Sequence, residues 1–325
     1  MERAVFYVAI VVAVFVAIGA MFGGGVIHFN GADAIGFDPV VQATAGHTGP
    51  QGYQAASIEV RNTAARITVT AEDRQDVLVE ITNPGGAPTP VVTLSNGILV
   101  VDGRLRGRID GCGGENVHLR GYGDFADSAL PQIVLHTPRT LDIDVDGANF
   151  TQISDADAVD ADLSGCGDTT IGAVTGALNV DFSGSGTVRA GSASRVSLDL
   201  SGSGEAHFGA VSESAEVSIA GSGEATFASL TGSFDGDSAG SGRVSIEGGS
   251  ITTADIEVAG SGRTRIAAPV QRLSVEIAGS GAVDVTAPVG DVDAEIAGSG
   301  EVRVQSVSGA VRQEVYGSGR FEVGQ

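Results

Sequence analysis

Gly279 to Ile296 reads GSG-AVDV-TAPVG-DVDAEI. Val283 and Val285 flank Asp284, and Val292, Ala294 and Ile296 alternate with Asp293 and Glu295. Apolar and polar side chains that alternate with period 2 belong to strands with one buried face. Neither run has the length or the three-and-four spacing of a helix. The unit therefore predicts two short strands joined by turns. The same pair of runs recurs as RVSI from Arg243 with ADIEV from Ala254, as RTRI from Arg263 with RLSVEI from Arg272, and as EVRV from Glu301 with VRQEV from Val311.

Gly-Ser-Gly begins at Gly184, Gly202, Gly221, Gly240, Gly260, Gly279, Gly298 and Gly317. Gly165-Cys166-Gly167 is a variant copy and Gly147-Ala148-Asn149 a degenerate one. Successive copies lie 18 to 20 residues apart. A fixed period of this size marks a repeat array. One such unit cannot bury its own apolar stripe. Stacking the units at ~4.8 Å pairs each strand with its equivalents and encloses the inward Val, Ile and Leu. The expectation is an all-β parallel β-helix, a solenoid with about 19 residues per coil and about fourteen coils over residues 53–325. A propeller, at roughly 40–50 residues per blade, is the alternative that a doubled unit approaches. The glycines are read as structural corners, since only glycine turns through positive φ without cost. Ser185, Ser203, Ser222 and their equivalents through Ser318 should stack in one ladder, with Cys166 in the same column.

Three residues before each repeat glycine stand Asp144, Asp162, Asp181, Asp199, Ser218, Asp237, Glu257, Glu276, Glu295 and Glu314. Alternation places them outward and coil on coil. Carboxylates ~4.8 Å apart repel by about 1 kcal/mol even in water. Three readings of this ladder stand side by side. It is a solvated face relieved by side-chain spread and by neighbouring arginines such as Arg189, Arg265 and Arg303, or a site for divalent cations such as calcium, which take several carboxylate oxygens, or a docking stripe for a cationic partner. The calcium-solenoid pattern GGxGxDx is absent. No other cofactor is expected.

The formal net charge is −22, from 40 acidic and 18 basic residues, and every basic residue is Arg. Such a chain has no basic stripe to displace counterions from phosphates, so nucleic acid is excluded as a partner. The 42% of hydrophobic residues include no Trp, so the core must come from small aliphatic side chains. His28, His47, His118, His136 and His207 are scattered, and no Ser-His-Asp, Cys-His, CxxC or HExxH arrangement is legible. The acids follow the repeat and do not cluster at one coil, which argues against an enzyme.

Ala4 to Phe22 carries no charged side chain. A bilayer core needs about 20 apolar residues as a helix, so residues 1–27 are read as an N-terminal membrane anchor or signal segment. Arg3 before the span and Asp33 and Asp38 after it direct the rest of the chain out of the cytoplasm, which places the protein in the cell envelope. Residues 28–52 are read as a flexible linker. Residues 53–325 form the solenoid, with less regular coils and a Gly-rich excursion over 53–146 and regular repeats over 147–325. In an exported chain, Cys112 and Cys166 form a candidate disulfide, with two reduced thiols as the alternative. The strand edge after Arg320 is expected to support self-association.

The repeated A/S-G-S-G with V-x-V/I strands resembles the bacterial putative auto-transporter adhesin, head GIN domain family. So do the alternating strands at Ile58–Val60 and Ile67–Val69 and the segment Pro131–Leu141 ahead of the first repeat. The resemblance covers about residues 53–325 and implies a parallel β-helical, exported envelope protein with no established activity. The sequence departs from a true autotransporter in that a repeat runs straight to Gln325, where a barrel-forming segment is expected in that class. The expectation is a non-enzymatic, membrane-anchored envelope protein that presents a rigid surface to a protein, a glycan or another copy of itself. A periplasmic structural or sensory module and a carbohydrate-active β-helix enzyme are the alternatives.

Overall fold

A computed structural model describes residues 38–113 and 116–324. The expected membrane anchor at residues 1–27 lies outside the described residues. Among the described residues, no helix is long and apolar enough to cross a membrane.

Each repeat forms two strands that pair in parallel, in register, with the repeats before and after. The first ladder stacks Val159, Leu178, Val196, Ala215, Phe234, Ala254, Leu273 and Val292 in one inward column. None of the eight is more than 3% exposed. The second ladder, past the corner, stacks Phe208, Phe227, Ile246, Ile266, Val285 and Val304. Phe208 and Phe227 lie ring on ring at 4.9 Å. A shorter contact through Ile251, Val270, Val289 and Val307 closes the remaining side. The result is one continuous apolar column. Each buried Val, Ile or Leu contributes about 1.5–3 kcal/mol. Parallel pairing from each repeat to the next is the solenoid arrangement and rules out propeller blades, which are antiparallel sheets.

The corners explain the glycines. Gly147, Gly165, Gly184, Gly202, Gly221, Gly240, Gly260, Gly279, Gly298 and Gly317 occupy one column. All have positive φ. A Cβ on Gly165 would lie 2.2 Å from the carbonyl oxygen of Gly147 in the coil below. Backbone meets backbone there, so no side chain fits.

The N-terminal part departs from the expected coils. Strands β1 (Gly46–Tyr53), β2 (Ser57–Ala71), β3 (Val77–Asn83), β4 (Val91–Ser95) and β5 (Ile98–Asp102) precede the small sheet β6 (Ile109–Gly113), β7 (Asn116–Leu119) and β8 (Gly123–Ala126). Strands β9 (Gln132–Thr137) and β10 (Thr140–Ile153) follow. Among the described residues before β10, β2 alone spans both halves of a coil, and it stacks on β10. It turns its corner at Asn62, with φ +49, a conformation that Asn tolerates better than most side chains. On its other side β5 and β9 pair with its two halves. The chain then reverses: β4 runs antiparallel to β5, β3 to β9, and β1 to β3. Residues 72–113 and 116–139 thus form a cap and an insertion, and the coils are fewer than the fourteen expected.

The linker reading changes as well. Residues 46–52, within the stretch read as linker, belong to β1. Upstream of β1, the Asp38 N–H donates to the Arg106 carbonyl at 3.1 Å and the Val41 N–H to the Tyr122 hydroxyl at 2.8 Å.

Candidate functional site

The acidic positions form the column that their spacing predicts. Asp144 pairs with Asp162, Asp162 with Asp181, and Asp181 with Asp199. Ser218 interrupts the run between Asp199 and Asp237. Glu257, Glu276, Glu295 and Glu314 continue it. Glu59 of β2 extends the column beyond Asp144. The position two residues earlier in each coil points to the same side and adds Asp142, Asp160, Glu216, Asp235, Asp255 and Asp293. The single ladder read from the sequence is therefore half of a two-column acidic face. The period-2 rule carried that information for both positions. The second column went unread because Asn179, Ser197, Ser274 and Arg312 dilute it.

Relief by arginine is largely absent. Register puts Arg189, Arg265 and Arg303 together in a column of the second ladder, past the corner. Arg303 there engages Glu301 at 2.6 Å and Glu322 at 3.5 Å. Among the described residues, no ion pair reaches the eight carboxylates from Asp144 to Glu295. Only the two ends of the column meet arginine among the described residues: Glu59 meets Arg61 at 3.0 Å, and Glu314 meets Arg312 at 3.0 Å and also accepts the Tyr316 hydroxyl at 2.8 Å. Those two donors hold its carboxyl below the ordinary range.

Several carboxylates of the face behave as crowded, like-charged groups should. Loss of hydration among neighbouring side chains comes first, and neighbouring negative charge second. Together they push Asp144 and Asp237 up to about 6. Asp142, Asp235, Glu257 and Glu276 are raised for the same reasons. Asp162 is raised by desolvation and also by a hydrogen bond with Asp181, so the two contend for a proton. Among the described residues, no three His, Cys, Asp or Glu side chains converge as a metal site. The carboxylates are arrayed along the column and do not point at a common centre.

The Gly-rich excursion forms β6–β8 and a second small core. Leu105, Val117, Leu119 and Leu130 pack there against Ala64 and Ala148 of the coils. Cys112 of β6 is bonded to Cys166, with the Cα atoms 5.9 Å apart. Cys166 sits where later repeats carry serine, so the bond ties the insertion to the first regular corner. Between them lies a cleft of about 290 Å³, lined by Asn62, Asp110, Asp146 and the glycines at 147 and 165. Its cysteine is consumed in the disulfide, and no histidine lines it. His118 lies on the exposed sheet, hydrogen-bonded to Asp124, which raises its pKa.

Part of the chain is similar to a known family. Residues 231–324 match the family model described as putative auto-transporter adhesin, head GIN domain. The matched segment lies wholly within the regular coils and contains the Gly-Ser-Gly copies from Gly240 to Gly317. Solved structures that resemble the chain include a putative adhesin from Parabacteroides distasonis, 16% identical, covering 88% of this chain and 100% of that one with a TM-score of 0.44. A putative adhesin from Bacteroides fragilis is 16% identical over 75% of this chain and 99% of its own, with a TM-score of 0.43. A putative lipid binding protein from Parabacteroides distasonis is 18% identical over 88% of this chain and 100% of its own, with a TM-score of 0.39. No curated protein matches the chain.

Proposed function

We propose that this chain is a non-enzymatic, membrane-anchored cell-envelope protein whose solenoid presents its acidic face to a cationic partner. The observation that carries the reading is the face itself: carboxylates in register over successive coils, of which the eight ladder positions Asp144, Asp162, Asp181, Asp199, Asp237, Glu257, Glu276 and Glu295 have no ion pair among the described residues, while Asp293 beside them meets Arg312 at 3.7 Å. Unrelieved like charges destabilise the fold that holds them. A partner that neutralises them gains that energy on binding. The match of residues 231–324 to an adhesin-head family supports a presenting role. The apolar run at 4–22 supports the anchor.

Protease shaving tests the placement. An antibody to the repeat region should detect loss of the solenoid when intact cells are treated. Protection until the envelope is opened would put the solenoid in the periplasm and replace the adhesive reading with that of an internal envelope module.

A further inference from the structure

The two ends of the coil column differ. One is covered by β1, β3, β4, β5 and β9. At the other, Val311–Gly317 and Arg320–Val323 pair with the preceding coil on one side only among the described residues. Their inward side chains lie open. Val311 is 46% and Val315 40% exposed, whereas their partners one coil back, Val292 and Ile296, are 3% and 0% exposed. Between them stands Gln313, in the inward column that Ile256, Val275 and Ala294 fill with apolar groups. An amide in that position is costly to cover unless its cover supplies hydrogen bonds.

The order of residues selects what can cover it. Strand Val311–Gly317 reads VRQEVYG, with Arg312 and Glu314 outward on either side of Gln313. An identical strand laid antiparallel across it is related by a two-fold axis. An axis between two residues would face inward side chains against outward ones. An axis at Arg312 or at Glu314 would oppose like charges. An axis at Gln313 sets Arg312 against the second copy's Glu314, twice, and Val311 against the second copy's Val315, twice. It also brings the two Gln313 amides together, and each can donate to and accept from the other. Opposite charges directly across an antiparallel pair stabilise it and like charges weaken it. Self-complementarity of this kind is what a two-fold interface requires. Arg312 engages Glu314 and Asp293 within its own chain, and its side chain is 70% exposed, so a rotation suffices to reach across.

We infer that this open end is a self-association surface, joining two copies of the chain through antiparallel pairing of Val311–Gly317 about an axis at Gln313. The inference does not depend on the acidic face or on its partner. It is tested on the full chain in its native membranes by a single substitution, Gln313→Cys, under mild oxidation. Cα atoms directly opposite in an antiparallel pair lie about 4.5–5.5 Å apart, within disulfide reach. A covalent dimer that reductant dissolves is expected, while Ser299→Cys, one coil back on the outer corner, should give at least about tenfold less. Adding Arg312→Glu to Gln313→Cys should remove most of the cross-link. Adding Glu314→Arg to that variant should restore it, and restoration also shows that the variants fold. Cross-linking at Gln313→Cys no greater than at Ser299→Cys would overturn the inference. So would a yield that ignores the charge reversal, or one that the charge swap fails to rescue.

Discussion

A methyl group on Gly240 would sit 2.5 Å from the carbonyl oxygen of Gly221, on a backbone with φ +123. Ser222, between two such corners, has its side chain in solvent. The repeat therefore needs its glycines for the close approach of coils and its serines for much less. Gly240→Ala should cost at least about 1–3 kcal/mol from backbone strain alone, read as a lower midpoint in urea. Ser222→Ala should stay within about 0.5 kcal/mol. The acids make a second prediction at this scale. Asp144 and Asp237 have folded pKa values raised from 3.8 to about 6. Ionising them therefore opposes folding. Their penalty is absent below about pH 4 and grows as pH rises through about 6. Melting temperature should increase as pH falls from 7 to 5, and the double variant Asp144→Asn with Asp237→Asn should melt higher at pH 7 with a flatter pH profile. A profile unchanged by the double variant would remove these two groups from the explanation. The acidic column was legible from the sequence because strand alternation fixes which residues face out, and the repeat fixes which ones stack. The pKa shifts were not, since they depend on how far each carboxylate is crowded.

At the level of elements, the regular strands were legible and the cap was not. Val77–Ile81 and Ile133–His136 alternate just as the solenoid strands do. Alternation tells which face is buried, not whether the neighbouring strand runs parallel or antiparallel. β3 and β9 therefore read as coils although they pair antiparallel. β1 was missed for a different reason. Its GHTGPQGY is exposed along almost its whole length, so it joins the sheet by backbone hydrogen bonds and carries no apolar pattern to read. The insertion's attachment supplies a third prediction. The disulfide closes a separation of 54 residues, worth about 4 kcal/mol in the chain-entropy account. Cys112→Ser with Cys166→Ser should lower stability by about 2–4 kcal/mol while the far-ultraviolet β signal persists, because the coil-to-coil ladders from Ala177 onward do not involve it. Loss of the β signal at room temperature would mean that the insertion, and not the column, holds the fold together.

For the solenoid as a whole, the repeat turns one local pattern into a surface. A carboxylate that would be unremarked on one strand becomes, through stacking, part of a face spanning the coils. The sequence allows this face to be a solvated surface, a divalent-cation site or a docking stripe. The arginines expected to relieve it lie in the second ladder. The carboxylates do not converge on a cation among the described residues. We propose an extended cationic partner for the array, and charge of this kind acts through steering and salt-sensitive attraction. The most direct measurement is the affinity of the full chain for an oligo-arginine peptide at low and at physiological ionic strength. It should be compared between two variants that each lose three negative charges. One neutralises the face by Asp181→Asn, Asp199→Asn and Glu276→Gln. The other neutralises the second ladder by Asp168→Asn, Glu205→Gln and Asp284→Asn. The face variant should bind about tenfold more weakly or worse, a loss of about 1.4 kcal/mol, with a shallower salt dependence, while the second-ladder variant stays close to the parent. Equal losses in the two variants would mean that the peptide senses only net charge, and the acidic face would not be the binding surface.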